Sequence, residues 1–167
     1  MSKKPFVAIL MGSDSDLPVM QATVDVLSNF GIKTEVRISS AHRTPDRTHA
    51  YVKDADKRGC AVFIAAAGMA AHLAGTVAAL TLKPVIGVPI DAGPLQGMDS
   101  LLSTVQMPGG IPVACVAIGK AGAKNAGYLA AQIIALQDTE TAEKIRAERS
   151  KNAEAIASKD EALQTRN

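Results

Sequence analysis

From Phe6 to Met11 every position is apolar, and the run stops at Gly12. An unbroken apolar run of this length predicts a strand buried on both faces, as in parallel sheets. Leu17, Met20, Val24 and Leu27 then recur at helical spacing, Pro18 suits a first turn, and Gly31 supplies a stop after Phe30. Ile32 to Ile38 alternates instead, with Ile32, Thr34, Val36 and Ile38 against Lys33, Glu35 and Arg37. That pattern predicts a half-exposed strand nearer the sheet edge. Ser39 to Thr44 reads as a loop, and Thr44-Pro45 as N-cap and first position of a helix that stops at Gly59. Cys60 to Ala67 is the next buried strand, and Gly68 opens an Ala-rich helix to about Thr81. Pro84 to Val88 and Ile111 to Ile118 are predicted as strands four and five, separated by Pro89 to Gly110 with a short helix from Met98 to Gln106. A helix from Ala123 to Leu136, a polar helix from about Glu140 to Lys159 and a frayed tail complete the pattern.

Strands alternating with helices imply right-handed crossovers and a parallel sheet covered on both faces. The expected architecture is α/β, with a five-stranded flavodoxin-like or Rossmann-like core; the flavodoxin-like form is a three-layer sandwich whose parallel sheet has order 2-1-3-4-5, here followed by an extra C-terminal helix. No repeat or linker divides the chain, so residues 1–167 read as a single domain, with an α/β core over 6–137 and a C-terminal helix and tail over 138–167. Ile145, Ala153 and Ile156 of that helix are expected to pack on a neighbouring subunit.

Composition narrows the function classes. The 167 residues are 47% hydrophobic and 20% charged, which fits a globular protein rather than a disordered one. The net charge of +2 comes from 18 basic and 16 acidic residues that are interspersed, leaving no run to track a phosphate backbone, so nucleic acid is not an expected partner. No apolar run approaches the roughly 18 residues of a membrane span, and Phe6 to Met11 is too short for a signal-peptide core. A cytoplasmic location is the expectation. Aromatics are only 3%, so the core must draw backbones together over Ala and Gly faces, within one subunit and between subunits. Cys60 and Cys115 sit in apolar runs without partner spacing and read as small core residues.

In open sheets of order 2-1-3-4-5, ligands bind beyond the carboxyl ends of strands one and three, where strand order reverses. Three loops converge there: Gly12-Ser13-Asp14-Ser15-Asp16, Ser39 to Thr44, and Gly68-Met69-Ala70-Ala71-His72. The first suits an anion-bearing sugar, since Gly12 permits close approach, Ser13 and Ser15 offer hydroxyls, and a helix N-terminus follows. Asp16 or Asp14 then serves ribose hydroxyls or helix capping, and a plain capped turn accounts for the loop equally well. No Walker loop or Gly-x-Gly-x-x-Gly is present. His42-Arg43 places an imidazole, able to give and take a proton near neutrality, beside a guanidinium able to clamp a phosphate. A loop histidine that merely satisfies backbone groups fits the pair as well. His72, at the start of an Ala-rich helix, is placed to contact the same pocket but reads first as bonded to backbone, and His49 reads as a surface or packing residue. The three histidines lack metal-ligand spacing.

Gly12-Ser13-Asp14-Ser15-Asp16, Ser40-Ala41-His42-Arg43-Thr44-Pro45, Ala70-Ala71-His72-Leu73 and the stretch from Ser100 to Pro112 together resemble the N5-carboxyaminoimidazole ribonucleotide mutase family over about residues 6 to 137. The resemblance implies a homo-octamer that needs no metal or organic cofactor. It implies transfer of a carboxylate from the exocyclic nitrogen of an aminoimidazole ribonucleotide to ring carbon 4, in purine (IMP) biosynthesis. It assigns Ser13, Ser40 and Arg43 to the 5′-phosphate, Asp16 to the ribose and His42 to proton transfer. The backbone around Gly68, Ala70, Ala71 and Leu73 would line the carboxylate site. It also implies functional coupling to the ATP-dependent enzyme that makes the substrate. His42-Arg43-Thr44-Pro45 resembles the mutase branch, whereas animal-type carboxylases that use carbon dioxide directly usually carry Lys after the histidine. Many relatives read Gly-Gly-Ala-Ala-His-Leu-Pro-Gly-Met where this chain has Gly68-Met69-Ala70-Ala71-His72-Leu73-Ala74-Gly75-Thr76. The rival readings are the direct carboxylase and a non-catalytic nucleotide-binding module.

Overall fold

The computed structural model describes residues 5–165. Five parallel strands, as the alternation of elements predicts, form one sheet in the flavodoxin-like order β2-β1-β3-β4-β5. The strands are β1 (Phe6–Met11), β2 (Lys33–Ile38), β3 (Cys60–Gly68), β4 (Val85–Ile90) and β5 (Ala114–Cys115). The helices are α1 (Leu17–Asn29), α2 (Pro45–Lys57), α3 (Leu73–Ala78), α4 (Met98–Val105), α5 (Gly119–Ala135) and α6 (Thr139–Gln164).

Alternate residues of the central strands feed two cores, one on each face of the sheet. Val7, Ile9, Met11, Val62, Ile64, Ala66, Ile86, Val88 and Ile90 pack with α1 and α5, and Ile145 of α6 joins them. Phe6, Ala8, Leu10, Phe63, Ala65 and Val85 pack against α2 and α3 on the other side. Both faces of β1 are buried throughout, the outcome expected of an unbroken apolar run.

The α1–α5 contact shows how a chain poor in aromatics fills its core. Gly122, Ala123, Ala126, Gly127, Ala130 and Ala131 form a buried small-residue face on α5. It lies so close to α1 that Thr23 Oγ1 donates to the carbonyl of Ala123 at 2.6 Å. The opposite edge is fastened by charge. Arg58 reaches Glu35 of β2 through Nη1 and Nη2, at 2.6 and 2.9 Å, and Asp54 of α2 through Nε at 2.6 Å. This pairing holds the Glu35 carboxyl below its usual range. Strand β2 and helix α2, which bracket the Ser39 to Thr44 loop, are thereby tied together.

Several boundaries depart from the sequence expectations. The helix predicted from Gly68 begins only at Leu73, because Gly68 ends β3 and residues 69–72 turn away from the sheet. Strand five shrinks from Ile111–Ile118 to Ala114–Cys115, paired only with β4 at the sheet edge. The buried face of α1 is Met20, Thr23, Val26 and Leu27, while Leu17 is exposed, because the 3-10 turn Asp14–Asp16 rotates the helix start. Ile145 is buried within its own chain rather than left for a neighbour, and α6 runs on through Gln164 instead of fraying after Lys159. Residues 166–167 of the expected tail lie outside the described residues. Cys60 is buried, with its thiol pushed up to about 11 by desolvation, and Cys115 is half-buried.

A Cβ on Gly122 would fall 1.6 Å from the carbonyl oxygen of Ala117. Gly122→Ala is therefore expected to destabilise by at least about 2 kcal/mol, even though Ala improves helix propensity by about 1 kcal/mol. Gly109→Ala, with open space around the new methyl, is expected to stay within about 0.5 kcal/mol. Urea denaturation of the two variants checks the contrast.

Candidate active site

The loops leaving β1, β2, β3 and β4 enclose a cleft of about 430 Å³ beyond the carboxyl ends of the strands. It is of a size to hold a small phosphorylated metabolite. Of the residues singled out in the sequence, Gly12, Ser13, Asp16, Ser40, His42, Arg43, Gly68, Ala70 and Leu73 line it together. Ala71 does not; it is buried, and its N–H donates to Ser103 Oγ of α4 at 3.1 Å. A ligand carboxylate held by backbone amides in this loop must therefore use neighbours of Ala71 or displace Ser103. A larger concavity, about 640 Å³, lies around Thr81 to Val85 and Gly110 to Ala114. It opens near the amino end of β4, away from the switch point where ligands of such sheets bind, and none of the three histidines lines it.

The β1 loop is the capped turn that the sequence allowed. Ser13 and Asp16 form a capping box, in which Ser13 N donates to Asp16 Oδ2 at 3.2 Å and Ser15 N donates to Ser13 Oγ at 3.3 Å. The turn is thus capped by its own side chains while still facing the cleft. Asp16 is only 6% exposed, and desolvation raises its pKa above 3.8 despite the Ser13 and Ser15 hydrogen bonds. Although Ser13 N and Ser15 Oγ already donate to it, the carboxylate lines the cleft, where ligand hydroxyls can also reach it. Asp14 remains exposed and accepts from Ser13 Oγ at 3.1 Å.

The β2 loop is anchored by two residues that do no chemistry. Ser39 N donates to the Met11 carbonyl at 2.8 Å, and the Ser39 hydroxyl meets that of Thr48, buried in α2, at 2.7 Å. Thr44 holds the expected N-cap position before Pro45, but its Oγ1 turns back to accept from Ser40 N at 3.0 Å and makes no cap hydrogen bond to α2. Arg43 N donates to Ser40 Oγ at 3.1 Å, and Arg43 Nη2 crosses to the Gly12 carbonyl at 3.2 Å. Ser13, Ser40 and Arg43 thereby form one polar end of the cleft.

His42 Nε2 lies 2.6 Å from His72 Nδ1, with the two rings edge to face. This corrects the expectation for His72, whose side chain bonds to His42 across the cleft rather than to backbone. The sequence signal was its place in a loop at the switch point; what hid it was a separation of 30 residues from its partner. His49 is exposed on α2, as expected.

Ala67, Gly68, Ala70 and Ala92 make the opposite end small and largely apolar. A Cβ on Gly68 would meet the Ala92 Cβ at 2.8 Å, so this wall admits nothing larger. Met69 stands in the left-handed region at φ 55° and is 54% exposed. For a bulky L-residue that conformation costs about 1–2 kcal/mol. Among the described residues, no group of three or more His, Cys, Asp or Glu is placed to hold a metal ion.

Comparison with known proteins places this geometry. The AIR carboxylase family pattern matches residues 6–155. A Pyrococcus horikoshii protein described as N5-carboxyaminoimidazole ribonucleotide mutase is 57% identical over 145 residues, covering 87% of this chain and 81% of that one. A Mycobacterium tuberculosis protein of the same description is 50% identical over 162 residues, covering 97% and 92%. The crystal structure of Treponema denticola PurE superposes with a TM-score of 0.86 at 34% identity, covering 95% of this chain and 98% of that one.

The buried charge on Asp16 predicts a pH-dependent cost. Its raised pKa means that the folded state holds the proton more tightly than the unfolded chain, so stability falls as pH rises through the window above 3.8. Asp16→Asn keeps an acceptor for Ser13 N and removes the charge. The ligand-free variant is expected to melt no lower than the parent at pH 7, with any advantage disappearing below about pH 3.9. Thermal denaturation across pH 3 to 8 checks this.

Proposed function

Because the chain belongs to the AIR carboxylase family, we propose that it interconverts N5-carboxyaminoimidazole ribonucleotide and 4-carboxy-5-aminoimidazole ribonucleotide, as an isomerase of purine biosynthesis. One observation carries the mechanism. A single cleft is lined by His42, by Ser13, Ser40 and Arg43, and by the alanines and glycine of the β3 and β4 loops.

The polar end takes the 5′-phosphate. Arg43 leaves the Gly12 carbonyl for a charge-assisted contact, and the hydroxyls of Ser13 and Ser40 turn their protons toward the anion. Asp16, which lines the same cleft, accepts from the ribose hydroxyls. The base then lies toward Gly68 and Ala70, beneath His42. His42 Nε2 is aimed across the cleft, as its bond to His72 shows, and a substrate nitrogen entering there comes within the same reach.

His42 gives its proton to the exocyclic nitrogen as the nitrogen–carbon bond of the carbamate breaks, leaving free amine and carbon dioxide. Ring carbon 4 then attacks carbon dioxide, forming the new carbon–carbon bond and a cationic, non-aromatic ring. His42 recovers a proton from carbon 4, which restores aromaticity and returns the enzyme to its starting state. One group serves both halves, as general acid and then as general base. Holding the two fragments together replaces a bimolecular capture by an intramolecular one.

A homo-octamer in the cytoplasm, coupled in function to the ATP-dependent enzyme that makes the unstable carbamate, completes the proposal. Its support is the apolar surface left open on one chain: Val36 and Ile38 of the edge strand, Met98 and Leu102 of α4, and Ile156 and Leu163 of α6 are all exposed. Such area is readily buried between copies.

Incubation of the purified protein with N5-carboxyaminoimidazole ribonucleotide is expected to yield the carbon-carboxylated isomer without added nucleotide or metal. Product formed only from aminoimidazole ribonucleotide and bicarbonate would instead identify a direct carboxylase. His42→Asn is expected to bind ribonucleotide but turn over at least ~100-fold more slowly. His72→Ala, which loses one exposed hydrogen bond, is expected to cost less than about tenfold. A reversed order in steady-state rates would move the acid/base role to His72.

A further inference from the structure

Once the carbamate breaks, the cleft holds a small neutral molecule that offers little for charged groups to grip. Its retention depends on walls. We propose that Met69 is the residue that retains carbon dioxide, closing the apolar end of the cleft between the β3 and β4 loops. The inference rests on the mutase reading.

Met69 lines the same cleft as Gly68, Ala70 and Ala92. Its Cγ, Sδ and Cε lie 3.2, 3.6 and 3.9 Å from the point where Gly93, on the β4 loop, would carry a Cβ. The side chain therefore bridges from one loop to the next and would be pressed by any Cβ at position 93. Core packing does not account for a methionine here, since the residue is 54% exposed. Backbone preference opposes it, because φ is 55° and glycine would adopt that conformation without strain. A strained residue persists where its surroundings over-determine it, and such residues gather at functional sites. The loop has its own anchors in the bonds from Ala71 N to Ser103 Oγ and between His72 and His42. Met69 is thus free to serve as a flexible apolar cover, a role for which an unbranched thioether is well suited.

The test is a single turnover with enzyme in excess, using substrate labelled with carbon-13 in the carbamate and unlabelled bicarbonate in solution, read by mass spectrometry of the product. The parent enzyme is expected to keep the label. Met69→Gly, which relaxes the backbone and so folds, is expected to lose label roughly five- to tenfold more often, the effect of a modest change in the relative barriers to escape and capture. Met69→Leu keeps apolar bulk and is expected to keep label near the parent level. A Met69→Gly enzyme that breaks the carbamate and releases only free amine is the extreme form of the expected result. The proposal is overturned if Met69→Gly retains label as the parent does, leaves the substrate intact, or loses no more than Met69→Leu. Loss of all label by the parent enzyme would instead remove the mutase reading, and this inference with it.

Discussion

The pairing of β1 with β3 is the constraint on which the site depends. Both strands are covered by helices on either face, so their backbone polar groups find partners only in the ladder. The ladder runs to the last residues, where Gly12 N still donates to the Ala66 carbonyl at 3.1 Å. Beyond that point the two chains part, one into the Ser13–Asp16 turn and the other into residues 69–72, because their crossovers lie on opposite faces of the sheet. The cleft is the gap left by that divergence. Its floor is rigid because the strands are, while its polar and apolar ends belong to different loops that can be tuned separately.

The β2 loop joins this frame from the side. Ser39 pins it to β1, Thr48 to α2, and the Glu35–Arg58–Asp54 cluster keeps β2 and α2 from drifting apart. His42 and Arg43 themselves contribute nothing to those anchors. They hang from a segment fixed by its neighbours, so functional groups are held in place without being buried. Asp16 follows the opposite logic, tolerating desolvation because the capping box supplies part of what water would.

Much of this was legible from the order of residues. Continuous apolar runs marked the central strands, and their alternation with helical stretches implied a parallel sheet, whose flavodoxin-like order locates the switch point and its three loops. Period-2 alternation placed β2 at an edge. Less visible were features that depend on approach in space. Ala70 and Ala71 favoured a helix by propensity, yet the chain stays extended through Gly68 and turns until Leu73, because β3 pairs with β4 as far as Gly68 and Ile90. Position 72 looked like a helix terminus, and nothing local reveals that another imidazole lies opposite. Ser103 and Ala92 carry no motif at all; their roles come from α4 and the β4 loop leaning over the cleft.

The last helix has a consequence of a different kind. Only Thr141 and Ile145 of its 26 residues are buried, and every described position from Lys151 onward is exposed in the single chain. A stretch of about fifteen residues with no tertiary contact is marginal as a helix in water. In the proposed octamer its helicity is tied to how much neighbouring surface it finds, and so to protein concentration. Far-ultraviolet ellipticity that declines on dilution, while the sheet and cleft persist, would make this segment a built-in gauge of assembly.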